Sequence, residues 1–173
     1  MIKLNELFDE YFRISVKKNN KKNYIAKFKV PIEDREVEYT VTISYNDKSS
    51  KTFKTDLLGK IKLFSATVLF SSNEAGMGVP NYGAGAHQAH ILSTVGKCVE
   101  YYTKNFNPMS ISFIAAGNIE SRKKVYVILC RELEKRLNYK YVLKPKTSMA
   151  TNTFLVVENK TYQQANKIRK GEN

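Results

Sequence analysis

Ser71-Ser72-Asn73-Glu74-Ala75-Gly76-Met77-Gly78-Val79-Pro80-Asn81-Tyr82-Gly83-Ala84-Gly85 separates two stretches of different hydrophobic period. It holds four of the chain's eight glycines and one of its four prolines, so it reads as a loop. Ahead of it, Ile61 to Phe70 is a strand, apolar on both faces near its end, as a central strand is. Behind it, Leu92, Val95, Val99, Tyr102 and Phe106 step at helical spacing and predict a helix over 86–104, stopped by Asn107-Pro108. Glycine lets a backbone approach a ligand closely, and the free amides at a helix start point at anions. Gly83-Ala84-Gly85-Ala86 therefore reads as a cradle for phosphate or pyrophosphate that needs no lysine. A flexible loop tip fits the same four residues. A Walker A loop does not, because no G-K-[ST] follows.

On the N-terminal side, Leu4, Leu7, Phe8, Tyr11 and Phe12 predict an amphipathic helix over 2–14. Lys17 to Lys22 is polar and reads as an exposed connection. Tyr24, Ala26, Phe28 and Val30 alternate with polar neighbours, and so do Val37, Tyr39, Val41, Ile43 and Tyr45. The short linker with Pro31 and Asp34 makes these two strands an antiparallel hairpin. On the C-terminal side, Ile111, Phe113 and Ile114 form a short strand, and Asn118 is a candidate N-cap. Val125, Leu129, Leu133 and Leu137 then mark a second long helix, which Asn138 can close in the left-handed conformation. Tyr139–Leu143 and Phe154–Val157 are closing strands, and residues 160–173 read as a polar, mobile tail. This order predicts an α+β fold with a mixed, mostly antiparallel central sheet flanked by helices, in a single domain over 1–159.

The chain has 173 residues, 42% of them hydrophobic, enough for a core without staples. It lacks an 18-residue apolar run, which excludes a spanning helix, and its first residues do not resemble a signal peptide. Cys98 and Cys130 both fall in helical patterns, as buried reduced thiols do, and the expected location is the cytoplasm. The net charge is +13. Residues 1–30 carry eight basic and three acidic side chains and residues 121–173 thirteen and four, whereas residues 61–120 carry three of each. The basic ends can attract nucleic acid, an acidic protein or an acidic substrate, or simply solvate the surface.

Antiparallel strands, a glycine-bearing turn into a helix, a strand, a second helix and two closing strands resemble the layout of the GNAT acyltransferase superfamily. That family's [QR]-x-x-G-x-[GA] turn holds the cofactor pyrophosphate, and Gly83 and Gly85 match its last two anchor positions. Asn118 followed by Ser121-Arg122-Lys123-Lys124-Val125-Tyr126 is similar, with a one-residue shift, to the family's Asn and aliphatic-Tyr pair. The resemblance implies acetyl-CoA or a related CoA thioester as donor and an amine as acceptor. It assigns Gly83, Ala84, Gly85, Ala86 and His87 to the pyrophosphate, and Leu69 and Phe70 to the pantetheine arm. Asn118 and Arg122 go to the cofactor, and Tyr126 protonates the leaving thiolate. Three features depart from the family. Pro80 stands where Gln or Arg is expected, the segment 71–82 is long for a tight turn, and strand 61–70 has no carboxylate, Glu74 being the nearest candidate base. Some small phage-encoded proteins share the Ser-Arg-x-x-[VL]-Tyr stretch, which would put the chain in a host cytoplasm. The runner-up is a non-catalytic protein on the same layout that binds nucleic acid or a protein partner through its basic surface.

His87 and His90, the only histidines, share a helix face, but no Cys or carboxylate stands beside them at ligand spacing. They read as polar helix-start residues, with His87 also placed for acid/base work beside a cofactor. Tyr39 and Tyr45 could stack bases but fill one sheet face at least as well, since no RNP motif surrounds them.

Overall fold

The computed structural model describes residues 10–45, 65–73, 76–77, 87–116, 120–141, 146–148 and 151–171. They form an α+β structure with a mostly antiparallel sheet, in elements β1 (Ser15–Asn19), β2 (Asn23–Ile32), β3 (Arg35–Tyr45), β4 (Ser65–Ser72), β5 (Gly76–Met77), α1 (Gln88–Phe106), β6 (Ser110–Ala116), α2 (Glu120–Arg136), β7 (Tyr139–Tyr141), β8 (Lys146–Ser148), β9 (Thr151–Glu158) and α3 (Asn159–Lys170). Two compact units divide the chain: Met1–Ser44 with Val68–Phe106, and Tyr45–Thr67 with Asn107–Asn173.

In the first unit the strand order is β1-β2-β3-β4, with β5 turning back on β4. The expected hairpin is present, pairing Asn23 with Ser44 through to Ile32 with Arg35. Glu33 makes its tight turn with a left-handed φ of 56°. Alternation sorts the side chains: Tyr24, Ala26, Phe28 and Val30 lie opposite Ile43, Val41, Tyr39 and Val37 on the buried face, and Ile32 is buried next to the turn. Helix α1 buries Ile91, Leu92, Val95, Cys98, Val99 and Tyr102. The Tyr102 ring lies 6.1 Å from that of Tyr24, and its hydroxyl donates to the Lys21 carbonyl at 2.5 Å. Asn107, left-handed at φ 45°, turns the chain away after Phe106.

Two N-terminal expectations change. The helix expected over 2–14 falls on residues 1–9, which lie outside the described residues, and on 10–14, which are not helical. Phe12 instead stacks on Phe28 at 6.1 Å, while Tyr11 stays half exposed. The first three residues of the stretch read as a connection belong to strand β1, antiparallel to β2 with a bulge between Val16 and Lys18. All five β1 residues are exposed, so no hydrophobic alternation marks it, and the backbone ladder alone makes it a strand.

In the second unit the strand order is β6-β9-β7, with β8 also on β9. Strand β9 pairs antiparallel with β6, β7 and β8, and α2 packs on β9, β7 and β6. Tyr139 donates its hydroxyl proton to the Pro108 carbonyl. Asn138 does not close α2 in the left-handed conformation: among the described residues other than glycine, only Glu33 and Asn107 have positive φ. Its carbonyl accepts the Asn159 N–H at 3.0 Å, tying the end of α2 to the start of α3.

Residues 160–170, expected as part of a mobile tail, form α3. Thr161 and Ala165 are buried one turn apart, the helix packs on β9 and β7, and Gly171 caps it at φ 71°. A single small apolar residue per face gives no stripe to read, which hides such a helix in sequence. Among the described residues no helix is long and apolar enough to cross a membrane. Ala165→Asp puts an unpaired charge at a position 3% exposed and should lower the unfolding free energy by about 2 kcal/mol or more. Urea titration reads this as a lower midpoint; an unchanged midpoint would mean that α3 does not pack against the sheet.

Candidate functional site

In the first unit, β4 ends with Leu69 half-buried and Phe70 buried, and Ser71 and Ser72 then pair with Met77 and Gly76. Glu74, Pro80 and the cradle Gly83, Ala84, Gly85 and Ala86 lie outside the described residues. The chain is described again at His87, whose carbonyl accepts the Ile91 N–H at 2.9 Å and so opens α1. The first turn of α1 has no acidic side chain of its own, and the N-terminal segment brings the carboxylate of Glu10 to it.

Residues 10–12 fasten onto that first turn. The Phe12 ring meets His87 at 6.1 Å and His90 edge-on at 5.9 Å, and its N–H donates to Thr94 Oγ1 at 2.9 Å. Thr94 in turn donates to the His90 carbonyl at 2.6 Å, and Glu10 Oε2 stands 2.7 Å from His90 Nε2. Both histidines thus hold the N-terminal segment in place. Among the described residues no group of three His, Cys, Asp or Glu side chains could hold a metal ion.

In the second unit, Asn118 lies outside the described residues, and Arg122 stands in the first turn of α2. Tyr126 is 6% exposed, stacked on Phe154 at 5.2 Å and 6.3 Å from Phe113. The stack fixes its ring, a packing role that the sequence reading missed. Leu69, Phe70 and His87 therefore belong to the first unit, and Arg122 and Tyr126 to the second.

A further feature of the first unit escaped the sequence reading. A groove of about 330 Å³ is lined by Arg13, Ser15 and Lys17, by Lys27, Phe28 and Lys29 of β2, and by Glu38 of β3. Lys27 Nζ stands 2.6 Å from Glu38 Oε1, and Lys29 Nζ 2.8 Å from Glu36 Oε2. The Lys27 hydrogen bond, joined by the charges of Lys27, Lys29 and Lys17, holds the Glu38 carboxyl below its ordinary range. Lysines at alternate positions 27 and 29 were visible in the sequence, but without β1 nothing placed Arg13 and Lys17 beside them. Tyr39, weighed as a base-stacking residue, lies on the opposite, buried face.

Neither a family model nor a curated protein nor a solved structure matches the chain.

Both cysteines are buried, as small hydrophobes are. Burial pushes the Cys98 thiol, beside Tyr24, up to about 12, and raises Cys130 and Tyr24 as well. These groups stay protonated in the fold where unfolded thiols, with an ordinary value of 9.0, ionise. The folded state then binds more protons than the unfolded one, so stability falls as pH rises from about 9 toward 12. The fall is about 1.4 kcal/mol per pH unit for each such group. Urea titrations at pH 7.5, 9 and 10.5 should show it, and Cys98→Ala should reduce it; a flat profile would contradict the burial of the thiols.

Proposed function

We propose that the chain is a GNAT-like acyltransferase, taking an acyl group from acetyl-CoA or a related CoA thioester to an amine. The observation that carries this reading is the order of elements. Antiparallel strands β1 to β3 precede β4, the glycine-bearing segment leads from β4 into α1, and β6, α2 and the closing strands β7 and β9 follow. The free amides of a helix start suit the pyrophosphate of such a donor.

Acetyl-CoA supplies a thioester carbonyl open to attack by an amine. In this reading the amides of Gly83, Ala84, Gly85, Ala86 and His87 hold the pyrophosphate, and Asn118 and Arg122 hold the rest of the carrier. Leu69 and Phe70 guide the pantetheine arm, and backbone amides polarise the carbonyl as negative charge develops on its oxygen. Glu74 takes the proton from the attacking nitrogen, directly or through water, and Tyr126 gives one to the departing sulfur. The C–N bond would form as the C–S bond breaks, the amide and thiol products would be neutral, and the proton gained by Glu74 would return to Tyr126 through solvent before the next turnover. A second reading, a non-catalytic protein on the same layout that binds nucleic acid or a protein partner, rests on the basic groove of the first unit.

Saturating CoA or acetyl-CoA, at about 100 times Kd, should stabilise the chain by about 2.7 kcal/mol and raise Tm by roughly 5–10 °C. Gly85→Glu should abolish the shift by filling and charging the cradle. Tyr126→Phe should keep the shift and lose acyl transfer. A melting temperature unmoved by both ligands would end the acyltransferase reading.

A further inference from the structure

The four cations of the groove do not stand alike. Glu38 and Glu36 on β3 hold Lys27 and Lys29, whereas Arg13 and Lys17 make no ion pair among the described residues. Four basic side chains against one acidic one give the lining a formal charge of +3. Lys27 and Lys29 share one face of β2 about 7 Å apart, and Lys17 lies on the neighbouring strand about 4.8 Å away. That strand is fully exposed along its length.

The wall chemistry narrows the ligand. Phe28, whose ring packs on the opposite, buried face, is the one apolar residue of the lining, so the apolar part of the wall comes largely from the aliphatic stems of Arg13 and the lysines, and the charged ends are what can select a ligand. No exposed aromatic ring lines the groove, so it has no platform for stacking bases. What it offers is a short line of cations. The separation of Lys27 and Lys29 is of the order of the step between successive phosphates along an extended strand. The planar Arg13 fork suits phosphate oxygens as well.

We propose that the groove over the outer face of β1, β2 and β3 binds the phosphate backbone of single-stranded nucleic acid, without regard to base sequence. Arg13 and Lys17 supply the free charges. Lys27 and Lys29 are pre-oriented by the glutamates opposite them, and Glu38 restrains the affinity because a phosphate must compete with it for Lys27.

The test is fluorescence anisotropy of a labelled oligo-dT 20-mer with the full chain across a salt series. Each single-strand phosphate contact adds about 0.7 to the slope of log K against log salt. Arg13→Gln/Lys17→Gln should weaken binding and flatten the slope by about 1.4. Glu38→Gln, on the solvent face of the sheet, should tighten it. Lys167→Gln/Lys170→Gln, which removes as many charges from exposed positions of α3, should change little. Circular dichroism melts establish that each variant is folded. Absence of binding at low salt overturns the proposal. So does a response of the α3 variant as large as that of the groove variant, or indifference of binding to both groove substitutions. Equal affinity for poly-glutamate, with the same sensitivity to Arg13 and Lys17, would reassign the groove to acidic protein and also overturn it.

Discussion

The organising contact of the first unit is the stack of Phe28 on Tyr39. The two residues are direct partners in the β2–β3 ladder, their rings 5.3 Å apart and nearly parallel, both buried. Phe12 stacks on Phe28 as well, which draws the segment ahead of β1 against the same hairpin. Side chains alternate with a period of two, so a slip of one residue would drive Lys27 and Lys29 into the core and expose Phe28. The aromatic pair therefore fixes the register and, with it, everything on the opposite face. That Lys27 and Lys29 stand together facing outward, with Glu36 and Glu38 within reach, follows from where Phe28 and Tyr39 must be. Core and groove are two faces of one constraint.

The second unit depends on β9 in a comparable way. Three strands pair with it, and its Phe154 carries the ring of Tyr126 from α2. That ring packs the helix onto the sheet beside the buried Leu129 and Leu133.

The sequence was readable where burial writes a period. Strands β2 and β3, the hairpin between them, α1 and the run of Leu129 and Leu133 in α2 all show one face turned to a core, and each lies within two or three residues of its expected place. Elements held by the backbone or by small residues were not readable. Strand β1 is exposed on both faces, β8 is three residues long, and α3 buries little more than Thr161 and Ala165. The helix expected over 2–14 shows the converse error: Tyr11 and Phe12 fitted a helical spacing, yet Phe12 was required beside Phe28. For the candidate site, Leu69, Phe70, His87, Arg122 and Tyr126 fall on the strands and helices expected of them or at their starts, while Glu74, Gly83–Ala86 and Asn118 lie outside the described residues. The groove could not be read because half of its charge lies on or beside a strand with no hydrophobic signature.

That concealment has a physical logic. An edge strand presents unpaired backbone groups and invites another strand to add to it, and exposed lysines are a common defence. Among the described residues β1 is the terminal strand of its order, and Lys17 and Lys18 serve that purpose there whatever else they bind. On β3 the two glutamates neutralise the lysines of β2, so the charge left over in this part of the sheet is that of the edge. A polyanion meeting this face is attracted to the same strand that a neighbouring sheet would be repelled from. The +13 of the whole chain can draw polyanions from a distance, but only at an edge where the lysines lack carboxylates opposite them does it become a place. A strand without a hydrophobic signature then protects the fold and supplies its cations at once.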